Sequence, residues 1–438
     1  MKLKRNLRLS LIFGRRKIEN ALSKRRLIDI KRYLRELKKS GDSNVKKELS
    51  SAIRAVRWIS VLLFANALFV SLETCGGAPN ANLREERIKT SKNWRDGSFV
   101  NPEPLVNDLW GSLASLFSKS EFASPSEPVP VEIPDPNSFL TPPASGLRVT
   151  WFGHSSTLVE IDGYRILTDP IWSERSSPFS WIGPKRWYAP LVSFDELPPV
   201  DAVVVSHDHY DHLDKKTILL LNDKDTRFIV PLGVGAHLED WGIPKSKITE
   251  LDWWESASFG KFKIVCTPAR HASGRTLTDK DEHLWAGYAL IGAEHRVYYS
   301  GDTGLFPAMR DIGTKYGPFD LTMIEIGQYN QAWPDWHIGP EQAVIAHKLV
   351  NGKKMLPVHW ALFELAAHSW TEPIERVLSK SEELNVNVAT PRPGQSFEPE
   401  KETGFSRWWP SLPWKKESED PIVSTQTEKL KSNRELQR

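Results

Sequence analysis

The stretch Ala202-Val203-Val204-Val205-Ser206-His207-Asp208-His209-Tyr210-Asp211-His212-Leu213-Asp214 carries more chemical information than any other in this 438-residue chain. Its first four residues form an apolar, largely β-branched run, the pattern of a strand buried on both faces. The polar cluster therefore falls on the loop leaving the strand's C-terminal end, where open α/β sheets commonly hold their chemistry. From Ser206 to Asp214 stand three imidazoles and three carboxylates. The alternation of His207 and His209 aims two imidazoles at one cation, while Asp211 and His212 can reach a second. Such mixed nitrogen and oxygen donors suit zinc or another first-row dication. An exposed polar loop is the plainer alternative, but isolated surface histidines seldom arrive as H-x-H-x-D-H.

A site for two ions needs further donors, and they are expected at other strand ends. His271 follows the strand-like Phe262-Lys263-Ile264-Val265-Cys266-Thr267. Asp302 sits in the turn Ser300-Gly301-Asp302-Thr303-Gly304 after Val297-Tyr298-Tyr299, and His359 follows Met355-Leu356-Pro357-Val358. Taken singly, His271 or His359 reads equally well as an ordinary hydrogen-bonded histidine, and Asp302 as a turn residue. Their shared placement after apolar runs is what makes them candidate ligands.

The regular elements point the same way. Val149–Phe152, Ser156–Ile161 and Tyr164–Thr168 read as strands, the last two joined by the hairpin signal Asp162-Gly163. Lys215–Leu221 reads as a helix, and further strands are expected over 228–232, 247–251, 258–267, 286–291 and 296–299. Helices are expected over Glu341–Val350, introduced by Pro340, and Pro373–Glu383, before a last strand at 386–390. Hairpins early and helices between later strands fit two sheets flanked by helices.

The order His-x-His-x-Asp-His, His, Asp, His resembles the signature of the metallo-β-lactamase superfamily. It is most similar to the branch of N-acyl-phosphatidylethanolamine-hydrolysing phospholipase D enzymes and their bacterial relatives. Matching segments include Trp151-Phe152-Gly153-His154, Leu167-Thr168-Asp169-Pro170, Gly183-Pro184-Lys185-Arg186, Ser206–Asp214, Ser300–Gly304 and His337–Val344, within roughly residues 95–396. The resemblance implies an α/β fold, the metallo-β-lactamase αβ/βα sandwich of two mixed β-sheets flanked by helices. It also implies two Zn2+ ions, one held by His207, His209, His271 and Asp302, the other by Asp211, His212, His359 and the bridging Asp302. Tyr210 and His337 match positions that contact the lipid phosphate in that branch. A phenol and an imidazole N–H can both donate to a phosphate oxygen, although Tyr210 reads also as a packed aromatic and His337 as a structural histidine. Asp208 departs from the mammalian motif, which has Asn there, and would bring negative charge near an anionic substrate.

By that resemblance the expected reaction is phosphodiester hydrolysis of phospholipase D type on an N-acyl-phosphatidylethanolamine-like phospholipid. A metal-bridging hydroxide would be the nucleophile, with Asp211, Asp302 and His337 as the catalytic side chains and Tyr210 and His337 as substrate contacts. Two other readings stand beside it: a hydrolase of a soluble lactone, thioester or cyclic phosphodiester, and a catalytically silent metal-binding scaffold of the envelope.

Charge is unevenly distributed. Residues 1–57 carry nineteen Lys and Arg against five Asp and Glu, leaving 39 basic and 50 acidic residues in the remainder of a chain with 58 and 55 in all. A basic tail suits nucleic acid or an anionic membrane surface, but the acidic body argues against a nucleic-acid footprint. The uncharged run Trp58–Leu72 is short for a spanning helix and suits the apolar region of a signal peptide. Leu72 three residues before Cys75 resembles a bacterial lipoprotein cleavage site, with Thr74 departing from the usual small residue. An uncleaved anchor and a buried core helix are the alternatives. The expectation is a membrane-associated protein of the bacterial cell envelope, or one at the cytoplasmic membrane periphery. The two cysteines, Cys75 and Cys266, provide no disulfide framework.

The domain reading is a basic extension (1–57), a signal or anchor segment (58–75), a tether and proline-rich wrapped segment (76–146), the catalytic domain (147–400) and a Trp/Lys-containing tail (401–438). Within the tail, Trp408, Trp409, Trp414, Lys415 and Lys416 suit either a membrane interface or packing against the core.

Overall fold

The computed structural model describes residues 80–106, 108–115, 119–222, 224–276, 278–401 and 404–425, all within one unit, Ala78–Arg438. The basic extension, the apolar run at 58–72 and Cys75 lie outside the described residues, as do residues 426–438.

The first sheet grows from the hairpins seen in the sequence. Strands β3 (Leu147–Gly153), β4 (Ser156–Ile161) and β5 (Tyr164–Thr168) are antiparallel neighbours, with β1 (Trp94–Arg95) and β2 (Ser98–Phe99) forming a separate small ribbon before them. The β4–β5 turn has positive φ at both Asp162 and Gly163, the conformation that Asp-Gly is suited to and that matches the twist of a tight hairpin. Next come the parallel strands β6 (Ala202–Val204), β7 (Arg227–Pro231) and β8 (Ile248–Leu251).

The second sheet repeats the scheme. The antiparallel strands β9 (Ser256–Phe259), β10 (Phe262–Thr267), β11 (Gly287–Ile291) and β12 (Arg296–Tyr299) lead into the parallel β13 (Leu321–Glu325), β14 (Lys354–Val358) and β15 (Asn387–Val388). Among the described residues each sheet has seven strands; the first is completed by β16 (Ser396–Phe397), which returns from the C-terminal region to pair with β3. The result is the expected α/β sandwich of two mixed sheets.

Side-chain alternation distributes β4 to β6 between two cores. Val159, Ile161, Ile166, Ala202 and Val204 face the large core shared with the second sheet. Leu158, Leu167, Val203 and Val205 face Ile218 and Leu221 of α3 (Lys215–Asn222) and Leu238 of α4 (Gly235–Asp240). This period of two on a strand covered on both sides is why the run 202–205 contains no polar residue. On the second sheet α5 (Ala308–Tyr316), α6 (Pro340–Leu349) and α7 (Glu372–Leu384) contribute Ile312, Val344 and Ile374 to the large core.

Several elements differ from the sequence reading. Residues 258–267 form two strands, because Gly260, with φ +59°, turns the chain between β9 and β10. The polar stretch after residue 76 contains α1 (Asn80–Thr90), whose Arg84 pairs with Glu239 at 2.7 Å and Glu250 at 2.8 Å; α2 (Leu109–Ser115) follows it. Trp408 and Trp409 are buried: Trp360 stacks on both Trp151 (5.5 Å) and Trp408 (5.3 Å), Trp151 and Trp408 also meet (6.4 Å), and Trp409 packs edge-on against Trp408. The aromatic pair in the tail is therefore core for these two residues, where large apolar rings gain most from leaving water. Among the described residues no helix is long and apolar enough to cross a membrane.

Candidate metal centre

The candidate ligands follow the C-terminal ends of strands in both sheets. The loop after β6 supplies His207, His209, Asp211 and His212; the segment after β10 supplies His271; the turn after β12 supplies Asp302; and His359 directly follows β14. Gly301 permits the β12 turn. Its φ is +57°, and a Cβ there would lie 2.5 Å from the Ala286 carbonyl and 2.7 Å from the Ser206 side chain, so a larger residue would push Asp302 away from the loop after β6.

These seven side chains converge. His207 Nε2 lies 2.8 Å from His209 Nδ1, and His271 Nε2 lies 3.3 Å from the same atom. On the other side, Asp211 Oδ2 is 3.3 Å from His212 Nε2 and 3.5 Å from His359 Nε2. Asp302 Oδ2 stands between the groups, 3.1 Å from His212 and His359 and 3.9 Å from His207 and His271. Asp302 Oδ1, His212 Nε2 and His359 Nε2 are buried and find no hydrogen-bond partner among the described residues. Buried polar atoms normally find partners, so these orphans, drawn from imidazoles and carboxylates, fit first-row dications.

Further side chains orient this set. Asp169, wholly buried at the end of β5, accepts from the Ser206 amide (2.7 Å), the Ser206 hydroxyl, His212 Nδ1 (2.6 Å) and the Tyr299 hydroxyl. It thereby commits His212 to present Nε2 to the centre. His271 Nδ1 faces the Trp336 carbonyl at 2.8 Å, and His207 Nδ1 faces the Ser206 hydroxyl at 2.9 Å. His154, in the β3–β4 turn, places Nε2 3.0 Å from Asp211 Oδ2. Backbone bonds from His154 N to Trp360 O (3.0 Å) and from His359 N to His154 O (2.9 Å) tie the two sheets together there. Both histidines have positive φ, 51° and 67°, a conformation that non-glycine residues adopt chiefly where structure and function over-determine it.

Glu325, at the end of β13, is buried and accepts from the Thr303 amide; its Oε2 lies 2.8 Å from His337 Nδ1 and 3.6 Å from His359 Nδ1. His337 stands at the rim, its ring 5.1 Å from those of both His271 and His359. Tyr210 is placed differently from the ligands around it. Its hydroxyl donates to the Arg275 carbonyl at 3.0 Å, and the Arg275 guanidinium lies 4.0 Å from its ring centre. Asp208 also turns away, fully buried against His237 and His283, so its charge does not line the space beside Asp302.

Of these positioning residues, His154, Asp169 and Glu325 have no role in the sequence reading. His154 and Asp169 lie in quoted segments, at strand ends, which is the signal that could have found them. Glu325 closes a strand that the sequence reading lacks.

The electrostatics divide the centre. Burial, followed by repulsion from His212, His209 and neighbouring His271, holds the His207 imidazolium well below its ordinary range, leaving a neutral donor. Burial would likewise lower His359, but Asp302 and Asp211 outweigh it and push its pKa up to about 10. His212 is raised for the same reason against the same burial cost. A cation must therefore displace protons from His212 and His359. Below pH ~10 metal affinity should rise with pH, by about tenfold per pH unit for each proton displaced. Isothermal calorimetry in buffers of different ionisation enthalpy checks this; metal uptake without proton release at pH 7 would refute it.

Residues 164–360 match the model of the beta-lactamase superfamily domain. A protein named N-acyl-phosphatidylethanolamine-hydrolyzing phospholipase D 1, from Caenorhabditis elegans, is 40% identical over 247 residues, covering 53% of this chain and 69% of its own length. The chain belongs to the metallo-β-lactamase superfamily. Within that superfamily it is 47% identical over 343 residues to an uncharacterised protein of Mycobacterium tuberculosis, covering 76% of this chain and 91% of that one. It is 29% identical over 245 residues to a metal-dependent hydrolase of Caldivirga maquilingensis, covering 56% and 94%. It is a metal-dependent hydrolase by family.

Proposed function

We propose that this chain is a phosphodiesterase of phospholipase D type that uses two zinc ions to hydrolyse N-acyl-phosphatidylethanolamine-like phospholipids. The observation that carries the two-ion reading is the position of Asp302 Oδ2 between two donor sets. His207, His209 and His271 would hold one ion and Asp211, His212 and His359 the other, with Asp302 shared. Such ions activate water at neutral pH and neutralise charge that develops on a phosphoryl group. The lipid class rests on similarity to the nematode relative.

The chain's own contribution at the rim is His337. If Glu325 is ionised, His337 donates Nδ1–H to it, and Nε2 donates to a phosphate oxygen only as the imidazolium. Burial and then the Asp302 charge raise the Glu325 carboxyl above its ordinary range. A protonated Glu325 instead donates to Nδ1 and leaves the neutral ring's proton on Nε2, ready for a non-bridging oxygen. Asp211, kept ionised against burial by His212 and His154, is a candidate proton acceptor along with Asp302. Cleavage between phosphorus and the head-group oxygen gives phosphatidic acid and an N-acylethanolamine.

Tyr210 has one O–H, so donating to phosphate requires it to leave the Arg275 carbonyl. Tyr210→Phe should retain full metal content and lower kcat/KM by about tenfold; unchanged kcat/KM would make its role purely structural, and lost metal would contradict its assignment as a substrate contact.

A membrane surface is the proposed setting, in the cell envelope or at the membrane periphery. Trp181 is 70% exposed and Ile182 36%, on a loop that also carries Lys185, a combination suited to a lipid interface. The test uses the full zinc-loaded chain with N-acyl-phosphatidylethanolamine in mixed micelles, bis-p-nitrophenyl phosphate, and panels of lactones and thioesters. Phosphatidic acid release is expected; rapid lactone or thioester turnover without lipid product would overturn the substrate class.

A further inference from the structure

A second group of metal-type donors lies on the opposite side of the ligand loop. Asp208 belongs to that loop, His237 to α4, and Asp279 and His283 to the segment joining β10 and β11. Each offers one donor atom, and all four atoms lie within 4.8 Å of one another. Asp208 Oδ2 is 2.9 Å from His283 Nδ1 and 3.3 Å from His237 Nε2, and the two rings are 4.5 Å apart. From this convergence we propose an additional dication site, of zinc type, formed by Asp208, His237, Asp279 and His283 and distinct from the centre around Asp302.

Two imidazoles and two carboxylates drawn from three separate segments make a donor set and count that suit tetrahedral zinc. Asp208 is fully buried, whereas the two histidines retain some exposure, which gives an ion a route in. The neighbouring cation does not neutralise the carboxylate by contact. Arg275 donates instead to the Asp208 carbonyl at 2.6 Å and the Leu213 carbonyl at 2.9 Å. Among the described residues the ion-pair partners of Asp208 are His237 and His283. Its other oxygen accepts from the Gly274 amide at 2.8 Å, and Asp279 accepts from the amides of Arg275 and Thr276. Both carboxylates are thus held in place while keeping capacity for a cation.

The site's consequence follows from its place in the chain. Asp208 stands between His207 and His209, so an ion there fastens the ligand loop to α4 and to the segment carrying His283. The alternative is a purely hydrogen-bonded anchor, with both imidazoles donating to Asp208.

Zinc content separates the two. The full chain and its His237→Gln/His283→Gln variant are equilibrated with buffered zinc, dialysed and assayed for metal. Gln keeps a hydrogen bond to Asp208 but is a poor zinc ligand, so the variant should hold one equivalent fewer than the wild type, however many ions the Asp302 centre takes. Equal zinc content would overturn the site. Should the variant fail to fold by circular dichroism, the wild type carries the test through diethyl pyrocarbonate labelling read by mass spectrometry. Zinc should then suppress modification of both His237 and His283, and equal labelling with and without zinc would overturn it.

Discussion

Asp302→Asn should lower kcat/KM by on the order of 10³-fold or more while leaving the fold intact. The carboxylate oxygen lies 3.1–3.9 Å from imidazoles of both donor sets, and an amide offers a neutral oxygen and a nitrogen that cannot ligate. Removing a single charge-stabilising donor from an active site already costs about 10²–10³ in rate, and here the change also weakens both ion sites. The surroundings tolerate the swap because Asn has the same shape and Asp302 Oδ1 has no hydrogen bond to lose. Steady-state kinetics on metal-replete protein, with circular dichroism for the fold, checks the result. Activity within a factor of about two of wild type would remove Asp302 from its bridging position.

Asp169→Ala should be the most damaging change away from the ligands. It strips partners from the Ser206 amide and hydroxyl, His212 Nδ1 and the Tyr299 hydroxyl at a fully buried point. Breaking a buried charged pair by deleting one member costs about 3–5 kcal/mol. Loss of a group that orients a metal-binding histidine typically weakens metal affinity by about 10–100-fold. Denaturant unfolding and a metal competition titration measure the two effects separately. Asp169→Asn keeps one acceptor oxygen and should lose less on both counts. Wild-type stability and metal affinity in the alanine variant would show that His212 is oriented by something else.

Much of this architecture is legible in the amino-acid order because each piece has a local cause. The run 202–205 is apolar on both faces, Asp162-Gly163 suits a hairpin with two positive φ angles, and the candidate ligands follow apolar strands. What the sequence hides depends on contacts between distant segments. Nothing local to His154 says that its backbone will pair with residues 359 and 360, or that its ring will meet Asp211. Glu325 gains its role only when β13, a strand missing from the sequence reading, takes its place between β12 and β14. Asp208 looks like a spacer carrying charge toward a substrate, yet the loop turns its side chain to the opposite side. Tyr210, next along the chain, lies under Arg275 because that guanidinium also anchors the loop's carbonyls. The short β16 returns to pair with β3, and beyond it Trp408 and Trp409 bury against Trp360, placements that no local pattern announces.

The most direct test of the central claim is hydrolysis of N-acyl-phosphatidylethanolamine by the full zinc-loaded chain in 18O-labelled water. Water attack at phosphorus predicts one 18O atom in the phosphate of the released phosphatidic acid and none in the N-acylethanolamine. Label in the ethanolamine product, or no lipid cleavage by protein whose metal content is complete, would contradict it.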